Sequence, residues 1–339
     1  MKLGFGIIGL GIWGETHAKT YADYPQVDLV KVCDLRADRA RKIAKQYGAR
    51  GYCTDYREVL ADETIQAVSI VTPDFAHTDV AIAAAKAGKH ILVEKPLATS
   101  VADCQKIIAA ARKAGVKLMV DFHNRFNPPI ANSKTAIEKG ELGDMRLMTI
   151  RLNDTIAVPT DWLSWAGRSS VLWFLGSHCV DVIRWLFADE VKRVFAVSRS
   201  DVLKRRGVNT PDFFQAILEM KRGGVASLEN CWIVSKSAPV VFDFKLELIG
   251  SDGTIYLDLS HHRAMQKYTK AAASYPDVMC LPTVHGKPLG FCVESIRHFI
   301  ECVIHDREPI VTGEDGLAAT KVLCAIQESA QQGAPVLLR

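Results

Sequence analysis

The chain has 339 residues, of which 48% are hydrophobic and 24% are charged, and its formal net charge is +4. This length exceeds one ordinary hydrophobic core and predicts two domains. The small net charge, without a basic run, argues against nucleic acid as a partner. We expect no membrane span, because no apolar run approaches the ~20 residues that cross a bilayer. We also expect no signal peptide.

The nine cysteines form no C-x-x-C pair, and most lie in apolar surroundings. This usage predicts a reduced, cytoplasmic protein. No group of Cys and His residues has the spacing of zinc ligands, so we predict no metal site. The neighbouring His261 and His262 are interpreted as ordinary strand residues.

The first third of the chain alternates short apolar runs with helical patterns. The predicted strands are 3–8, 27–33, 67–71, 90–93 and 117–121. The predicted helices are 15–24, 36–47, 76–87 and 101–114. Such alternation is typical of a doubly wound parallel sheet, the Rossmann arrangement, which we assign to residues 1–122.

Residues 123–339 are predicted to form an α+β domain with an open, mostly antiparallel sheet. Its predicted strands are 145–153, 191–198, 213–220, 225–234, 242–250 and 254–259. Its predicted helices are 128–139, 171–187, 290–305 and 314–332, with a loop over 270–288. An apolar sheet face left uncovered must be buried, so we expect a homodimer or homotetramer that pairs through this sheet.

A glycine loop follows the first strand directly and opens the first helix. It consists of Gly9, Leu10, Gly11, Ile12, Trp13 and Gly14. In a G-x-G-x-x-G loop the first glycine permits the tight turn, the second allows close approach of a pyrophosphate, and the third allows helix–strand packing. The helix N-terminus offers N–H groups to the phosphates. A dinucleotide site is therefore predicted here.

Asp34 ends the second strand about 20 residues after this loop, where an acidic side chain binds ribose hydroxyls. Its carboxylate would repel a 2′-phosphate, so we expect NAD rather than NADP. Leu35 and Arg36 follow it, and Arg36 and Arg39 could soften that preference. A glycine turn without a ligand remains the alternative.

Two further segments follow core strands at the edge where open α/β sheets bind ligands. One runs from Thr72 and Pro73 to His77, and the other is Glu94-Lys95-Pro96. Pro96 restricts the backbone of Lys95, which favours an extended conformation there. These segments are predicted to belong to the cofactor site, with Lys95 directed into the crevice.

Together these motifs resemble the family named after glucose–fructose oxidoreductase, inositol dehydrogenase and the protein MocA. The resemblance covers nearly the whole chain. It rests on the glycine loop, T-P-x-x-x-H, E-K-P, Asn124-Arg125-Phe126 and G-x-H-x-x-D at Gly176, His178 and Asp181.

This resemblance implies an NAD-dependent oxidoreductase acting on a cyclic polyol, a sugar or a sugar derivative. Lys95 would contact the reacting hydroxyl or carbonyl oxygen, and His178 would be the general acid/base. Many sugar dehydrogenases of the family carry an Asp four residues before this His, where the present chain has Phe174. That departure removes a carboxylate expected at the substrate site.

Alcohol oxidation needs a base for the hydroxyl proton and a cation to steady the developing alkoxide, roles suited to His178 and Lys95. If residues 171–187 form one helix, Phe174, His178 and Asp181 share a face. Asp181 then orients His178, contacts substrate or makes a structural pair.

Further candidate contacts come from a loop and a strand end. Trp162 and Trp165 suit stacking on a sugar ring or simple loop packing. His123 and Asn124 are candidates for nicotinamide or substrate contact, with a turn as the alternative role for Asn124.

Two other functions remain compatible with the motifs. One is an NAD-dependent glycosidase or lyase that oxidises its substrate transiently, marked by tightly held cofactor and no net turnover of nicotinamide. The other is a non-catalytic NAD-binding regulatory protein, which Phe174 favours and which Lys95 and His178 argue against.

Overall fold

The computed structural model describes residues 2–260, 264–270 and 273–338, and these form two compact units. The first unit comprises Met1–His123 and Cys280–Leu317, and the second comprises Asn124–Met279 and Ala318–Arg339. The histidines at 261 and 262 lie outside the described residues, so their assignment to a strand remains a prediction.

The first unit is built on a parallel sheet. Its strands are β1 (Leu3–Ile8), β2 (Val27–Cys33), β3 (Gly51–Cys53), β4 (Ala67–Ile70), β5 (His90–Val93) and β6 (Leu118–Val120). Its helices before His123 are α1 (Ile12–Asp23), α2 (Ala37–Tyr47), α3 (Tyr56–Leu60), α4 (His77–Lys86) and α5 (Val101–Ala114). The strand order is β3-β2-β1-β4-β5-β6, with parallel pairing throughout the described sheet. This order is that of a dinucleotide-binding Rossmann fold, whose chain reverses direction across the sheet beside β1.

The strands of this sheet are almost wholly buried, as the continuous apolar runs predict for strands covered on both faces. The Phe5 ring on β1 lies 4.9 Å from that of Tyr21 on α1 and 6.3 Å from that of Phe299. Phe299 belongs to a helix near the C-terminal end of the chain, which packs on α1. The core of the first unit therefore includes a segment that the sequence places in the second domain.

The second unit contains a mixed, mostly antiparallel sheet, as expected. Before it runs α6 (Pro128–Glu138), and its first six strands are β7 (Met145–Asp154), β8 (Val191–Arg199), β9 (Phe213–Met220), β10 (Val225–Cys231), β11 (Phe242–Gly250) and β12 (Thr254–Asp258). Between them lie α7 (Ser177–Phe187) and the short α8 (Val202–Arg205). The β7–β10 pair is parallel, whereas β10–β9, β9–β8, β7–β11 and β11–β12 are antiparallel.

Short strands and two helices complete the described chain. They are β13 (Lys267–Tyr268), β14 (Ala273–Ser274), β15 (Thr283–Val284), β16 (Lys287–Pro288), α9 (Phe291–Ile304), α10 (Gly313–Gln332) and β17 (Val336–Leu337). β17 extends the larger sheet beside β8, giving the order β12-β11-β7-β10-β9-β8-β17. The prediction of a loop over 270–288 was therefore wrong for three two-residue segments, which form the strands β14, β15 and β16.

The predicted helix over 171–187 is helical throughout, but it is not α-helical throughout. Leu172–Gly176 forms a π-helical turn, and the α-helical part α7 begins at Ser177. A π-turn contains one residue more than an α-turn, which a 3.6-residue pattern cannot reveal. The glycine at 176 approaches Leu172 and Asn230 so closely that a Cβ there would lie within 3.0 Å of both side chains.

Smaller differences concern the ends of elements. α1 begins at Ile12, three residues earlier than predicted, because the glycine loop itself forms the helix start. β10 ends at Cys231, short of the predicted 234, and the short β3, α3 and β17 were not predicted. Across the described part of the chain, no helix combines the length and apolar character needed to cross a membrane.

Candidate functional site

The glycine loop shows why each of its glycines is needed. Gly9 has φ +95°, and a Cβ there would lie 2.4 Å from the carbonyl oxygen of Val71. A Cβ on Gly14 would lie 2.1 Å from the carbonyl oxygen of Gly9. Gly11, the residue before α1, has open space around its Cβ position. The loop thus combines tight packing at its ends with an accessible backbone at the N-terminus of α1, which suits a pyrophosphate.

Asp34 lies beside this loop and is held by backbone groups. Its Oδ2 accepts a hydrogen bond from the Leu10 N–H at 2.9 Å, and its Oδ1 accepts one from the Arg36 N–H at 2.9 Å. The Arg36 guanidinium pairs with Asp38 at 2.8 Å. The carboxylate is therefore fixed next to the glycine loop with lone pairs left for ribose hydroxyls. The Arg36 side chain, which could attract a 2′-phosphate, is paired with the Asp38 carboxylate.

His77 links the two predicted segments at the carboxyl ends of β4 and β5. Its Nδ1 lies 2.8 Å from the carbonyl oxygen of Pro96, and its Nε2 lies 2.9 Å from that of Thr72. Because His77 is fully buried, it supports the site through these loops. The Thr72 hydroxyl is buried and has no hydrogen-bond partner among the described residues, as expected for a group that awaits a ligand.

Glu94 and Lys95 follow β5 and are both buried. The Lys95–Pro96 peptide bond is cis. Glu94 Oε2 accepts a hydrogen bond from the Lys95 backbone N–H at 3.3 Å, and Glu94 Oε1 lies 3.4 Å from His17 Nε2. The E-K-P segment is therefore connected to α1, the helix that the glycine loop opens.

A second carboxyl, Asp121, lies at the same end of the sheet. Its Oδ2 is 3.7 Å from His17 Nε2, and its Oδ1 accepts a hydrogen bond from the Ser295 hydroxyl on α9. Burial and the neighbouring Glu94 raise the pKa of Asp121 well above its usual value. Burial also raises the pKa of Glu94, but the hydrogen bond from His17 and the charge of Lys95 outweigh it and bring that pKa below its usual value.

His123 closes this region of the first unit. Its ring stacks on Trp13 of the glycine loop, with centroids 5.2 Å apart, and lies 5.7 Å from Phe291. Burial lowers the pKa of His123 to about 4, so the imidazole is neutral at neutral pH. The following Asn124 sits in the short helix His123–Phe126, and its carbonyl accepts a hydrogen bond from the Asn127 N–H. This contact supports the turn role considered for Asn124.

In the second unit, His178 lies in the first turn of α7 and is buried. Phe174 is in the preceding π-turn, and its ring contacts Trp165 and Trp232 at centroid distances of 6.0 and 5.7 Å. Trp232 donates from Nε1 to Asp154 at 3.2 Å. Phe174 therefore lies in an aromatic cluster, with the Asp154 carboxylate bound to Trp232.

Asp181 forms a buried ion pair. Arg125 donates from Nε and Nη2 to its two carboxylate oxygens at 2.9 and 2.6 Å, and the guanidinium lies 5.7 Å from the centroid of Trp185. Of the roles considered for Asp181, this geometry supports the structural pair. The carboxylate is fully buried, so a direct substrate contact finds no support here.

The loop before the π-turn places its two tryptophans differently. Trp162 is 51% exposed, whereas Trp165 is half-buried against Phe174. Asp161, the residue before Trp162, forms an ion pair with Lys236 at 2.6 Å. Trp162 is therefore available for stacking, and Trp165 serves packing at least in part.

Sequence reasoning missed His17, Asp121 and Ser295 in the first unit and Trp232 in the second unit. Asp121 carried a usable signal, because it follows directly on an apolar strand at the ligand-binding edge of a parallel sheet. His17 lies on the buried face of the helix after the glycine loop and looked like any core residue. Ser295 contacts Asp121 and Trp232 contacts Phe174, and nothing in the local sequence connects either residue to its partner.

Comparison with known proteins agrees with this geometry. Residues 3–122 match the family model described as an oxidoreductase family with an NAD-binding Rossmann fold, and residues 130–256 match the GFO/IDH/MocA C-terminal domain. The chain is 30% identical to scyllo-inositol 2-dehydrogenase (NAD(+)) of Bacillus subtilis (strain 168), over 98% of this chain and 95% of that protein. It is 28% identical to myo-inositol 2-dehydrogenase of Thermotoga maritima, over 98% of each.

A solved structure of another oxidoreductase has a similar fold. The aldose-aldose oxidoreductase of Caulobacter crescentus, crystallised with glycerol, superposes with a TM-score of 0.82 at 26% identity and covers all of both chains. Fold, glycine loop and relatives together define an NAD(P)-dependent dehydrogenase that acts on CH–OH groups. The chain belongs to the Gfo/Idh/MocA family of oxidoreductases.

Proposed function

We propose that this enzyme exchanges a hydride between NAD and a hydroxyl or keto carbon of a cyclic polyol, a sugar or a sugar derivative. The observation that carries the proposal is the position of Lys95, buried at the carboxyl edge of the Rossmann sheet and joined through Glu94 to the helix of the glycine loop. The names of the relatives, two inositol dehydrogenases and an aldose-aldose oxidoreductase, support this substrate class.

NAD fits the site through the glycine loop, Asp34 and Thr72. Bound there, it supplies the carbon that accepts or returns the hydride. Lys95 donates a hydrogen bond to the reacting oxygen and steadies the negative charge that develops on it. His178 takes the hydroxyl proton during oxidation and returns it during reduction. His123, neutral and stacked on Trp13, helps to shape the floor of the cofactor site.

Phe174 narrows the substrate class within this proposal. Its ring and those of Trp165 and Trp232 form an apolar surface. An Asp at position 174 would instead offer a carboxylate that accepts a hydrogen bond from a substrate hydroxyl. The apolar surface suits the C–H face of a ring. We therefore expect the substrate to bring fewer hydroxyl groups, or a ring face, to this side.

The decisive experiment uses Lys95→Ala with a panel of inositols, hexoses, glycosides and nucleotide sugars, following nicotinamide absorbance with NAD and NADP. We expect the parent to turn over at least one of them. The variant should lose about a hundredfold or more of kcat, as for removal of a donor to a developing oxyanion. NAD binding, followed by protein fluorescence quenching, should persist.

Two outcomes would contradict the proposal. Full turnover by the variant would remove Lys95 from the chemistry. Absence of turnover by the parent on every compound would favour the regulatory alternative, and product formation without net change in nicotinamide would favour the transient-oxidation alternative. Lys89→Ala is a matched control, because Lys89 is a buried lysine of the same unit that donates to the carbonyls of Asp62 and Ile65 instead.

A further inference from the structure

Two buried carboxyl groups lie together beside Lys95, and one histidine lies within reach of both. Glu94 and Asp121 are 5% and 1% exposed, and His17 Nε2 stands 3.4 and 3.7 Å from their nearest oxygens. Two carboxylates this close in a dry environment cannot both be charged without a large energetic cost. The usual solution is one proton shared by the pair.

We propose that Glu94 and Asp121 form a proton-sharing carboxyl pair, with the charge on Glu94 and the proton on Asp121, that acts as the buried counter-charge of Lys95. The proposal rests on the function proposed above, because it assigns a role to Lys95 in the reaction. Glu94 and Asp121 are positioning residues in this arrangement, and the substrate contact belongs to Lys95.

Hydrogen-bond donors decide which of the two carboxyls is charged. Glu94 lies within reach of His17 Nε2 and accepts from the Lys95 backbone N–H, and each donor stabilises the ionised form. Asp121 Oδ1 accepts a hydrogen bond from the Ser295 hydroxyl. Asp121 Oδ2 lies 3.7 Å from His17 Nε2, farther than the 3.4 Å between Glu94 Oε1 and the same nitrogen. The pKa directions of the two groups agree with this distribution.

A buried chain of hydroxyl groups leads to the ring of His17. The Tyr21 phenol lies 2.5 Å from the Ser69 hydroxyl, which lies 2.9 Å from His17 Nδ1. Burial raises the pKa of Tyr21, so the phenol keeps its proton. Donation from Tyr21 to Ser69 and from Ser69 to Nδ1 places the N–H of His17 on Nε2, directed at the carboxyl pair.

The negative charge of the carboxyl pair acts on the titratable groups around it, above all on Lys95. The titratable and polar groups that face it are His17 and Tyr21 on α1, Ser69 on β4, Lys95 and His123 beside the strand ends, and Cys292 and Ser295 on α9. Lys95 is buried and directly follows Glu94, which accepts a hydrogen bond from its backbone N–H. Burial and Glu94 raise the pKa of Asp121, and the charge of Lys95 partly opposes this rise. By reciprocity, one negative charge on the pair favours the protonated ammonium of Lys95.

Infrared difference spectroscopy tests directly whether Asp121 carries a proton, and it does not require a turnover assay. At neutral pH, where exposed carboxyls are ionised, the parent should show the C=O stretch of a protonated carboxylic acid. Asp121→Asn should lose this band, and Glu63→Gln, which alters an exposed carboxylate of the same unit, should keep it. Absence of the band from the parent would overturn the proposal even if the enzyme proves to be a polyol dehydrogenase.

The pH dependence of kcat/KM tests the charge. The double substitution Glu94→Gln with Asp121→Asn removes both carboxyls that can carry the counter-charge, so the limb that reports Lys95 should move to lower pH by about one unit or more. Asp121→Asn alone replaces a neutral acid by a neutral amide and should move that limb by clearly less, and Glu63→Gln should not move it. A shift from Asp121→Asn alone that equals or exceeds that of the double substitution would overturn the assignment.

The same three residues also have ligand atoms within 4.8 Å of one another, a spacing that could hold a metal ion. Elemental analysis of the purified enzyme distinguishes the two possibilities. We expect no stoichiometric divalent cation, and one such ion per chain would overturn the proton-sharing pair. An enzyme without turnover on any polyol, but with the Asp121 acid band present, would contradict only the proposed function.

Discussion

We propose that the charge of Asp34 selects NAD over NADP. Both of its oxygens accept backbone hydrogen bonds, so the carboxylate cannot swing away from an incoming 2′-phosphate without losing them. Arg36, the nearest cation along the chain, is paired with Asp38. The local arrangement therefore supports NAD on two counts: a fixed negative charge and a positive charge that already has a partner.

We expect Asp34→Asn to weaken this preference. Hydrogen bonds from ribose hydroxyls to a charged carboxylate contribute about 1.5–3 kcal/mol, so kcat/KM with NAD should fall roughly tenfold or more. The value with NADP should rise, because the repulsion is gone. Steady-state kinetics with both cofactors measure the ratio, and Asp38→Asn, which leaves Asp34 intact, should change it less. A ratio that stays at the parental value in Asp34→Asn would show that another residue selects the cofactor.

The glycine loop and Asp34 could be predicted because their roles depend on residue type at a fixed spacing next to a strand. Lys95 and Thr72 followed from the rule that ligands bind at the carboxyl edge of parallel strands. The same rule applies to Asp121, which follows β6, but it does not identify His17. His17 is separated from Glu94 by 77 residues in sequence, and only the folded sheet brings its Nε2 to 3.4 Å from Glu94 and 3.7 Å from Asp121.

Among the elements, the most informative is the helical segment from Leu172 to Phe187. Its apolar pattern correctly indicated a buried helix, but the π-turn Leu172–Gly176 adds a residue before α7 begins. Phe174 is consequently offset from the face that an uninterrupted helix would give it, and it packs on Trp165 and Trp232. Periodicity identifies which residues are buried, whereas the exact face after an inserted residue depends on tertiary packing.

The Arg125–Asp181 pair secures this segment, and its loss should be costly. Arg125→Ala leaves the fully buried Asp181 carboxylate without the guanidinium that neutralises it. Removing one partner of a buried ion pair costs about 3–5 kcal/mol, so we expect a loss of that order in the free energy of unfolding. Urea denaturation followed by circular dichroism measures the change.

A matched control for that substitution is Arg146→Ala, which breaks an exposed ion pair with Asp144 in the same unit. Exposed pairs contribute little to stability, so its effect should be much smaller. Equal losses from both substitutions would show that the buried Arg125–Asp181 pair contributes no more to stability than an exposed pair.

At the scale of the whole molecule, the outer face of the larger sheet carries apolar side chains. Alternate residues of β7, β8, β9 and β12 point away from the buried face, and four of them are large and substantially exposed: Leu147, Phe195, Ile217 and Tyr256. Phe195 and Ile217 are direct neighbours across the β8–β9 pair. The adjacent Phe195 and Ile217, with Leu147 and Tyr256 elsewhere on the same face, support the proposal that the chain pairs with copies of itself through this sheet.

We therefore expect the purified enzyme to be a dimer or tetramer, and Ile217→Lys to lower its mass in solution. The substitution places a charge within the apolar face, opposite Phe195, where burial in an interface would strip the ammonium of water. Light scattering coupled to size-exclusion chromatography measures the mass across a range of protein concentrations. Ile310→Lys serves as the control, since Ile310 is a comparably exposed isoleucine of the first unit. An unchanged mass for Ile217→Lys, or a monomeric parent, would show that the apolar face has another purpose.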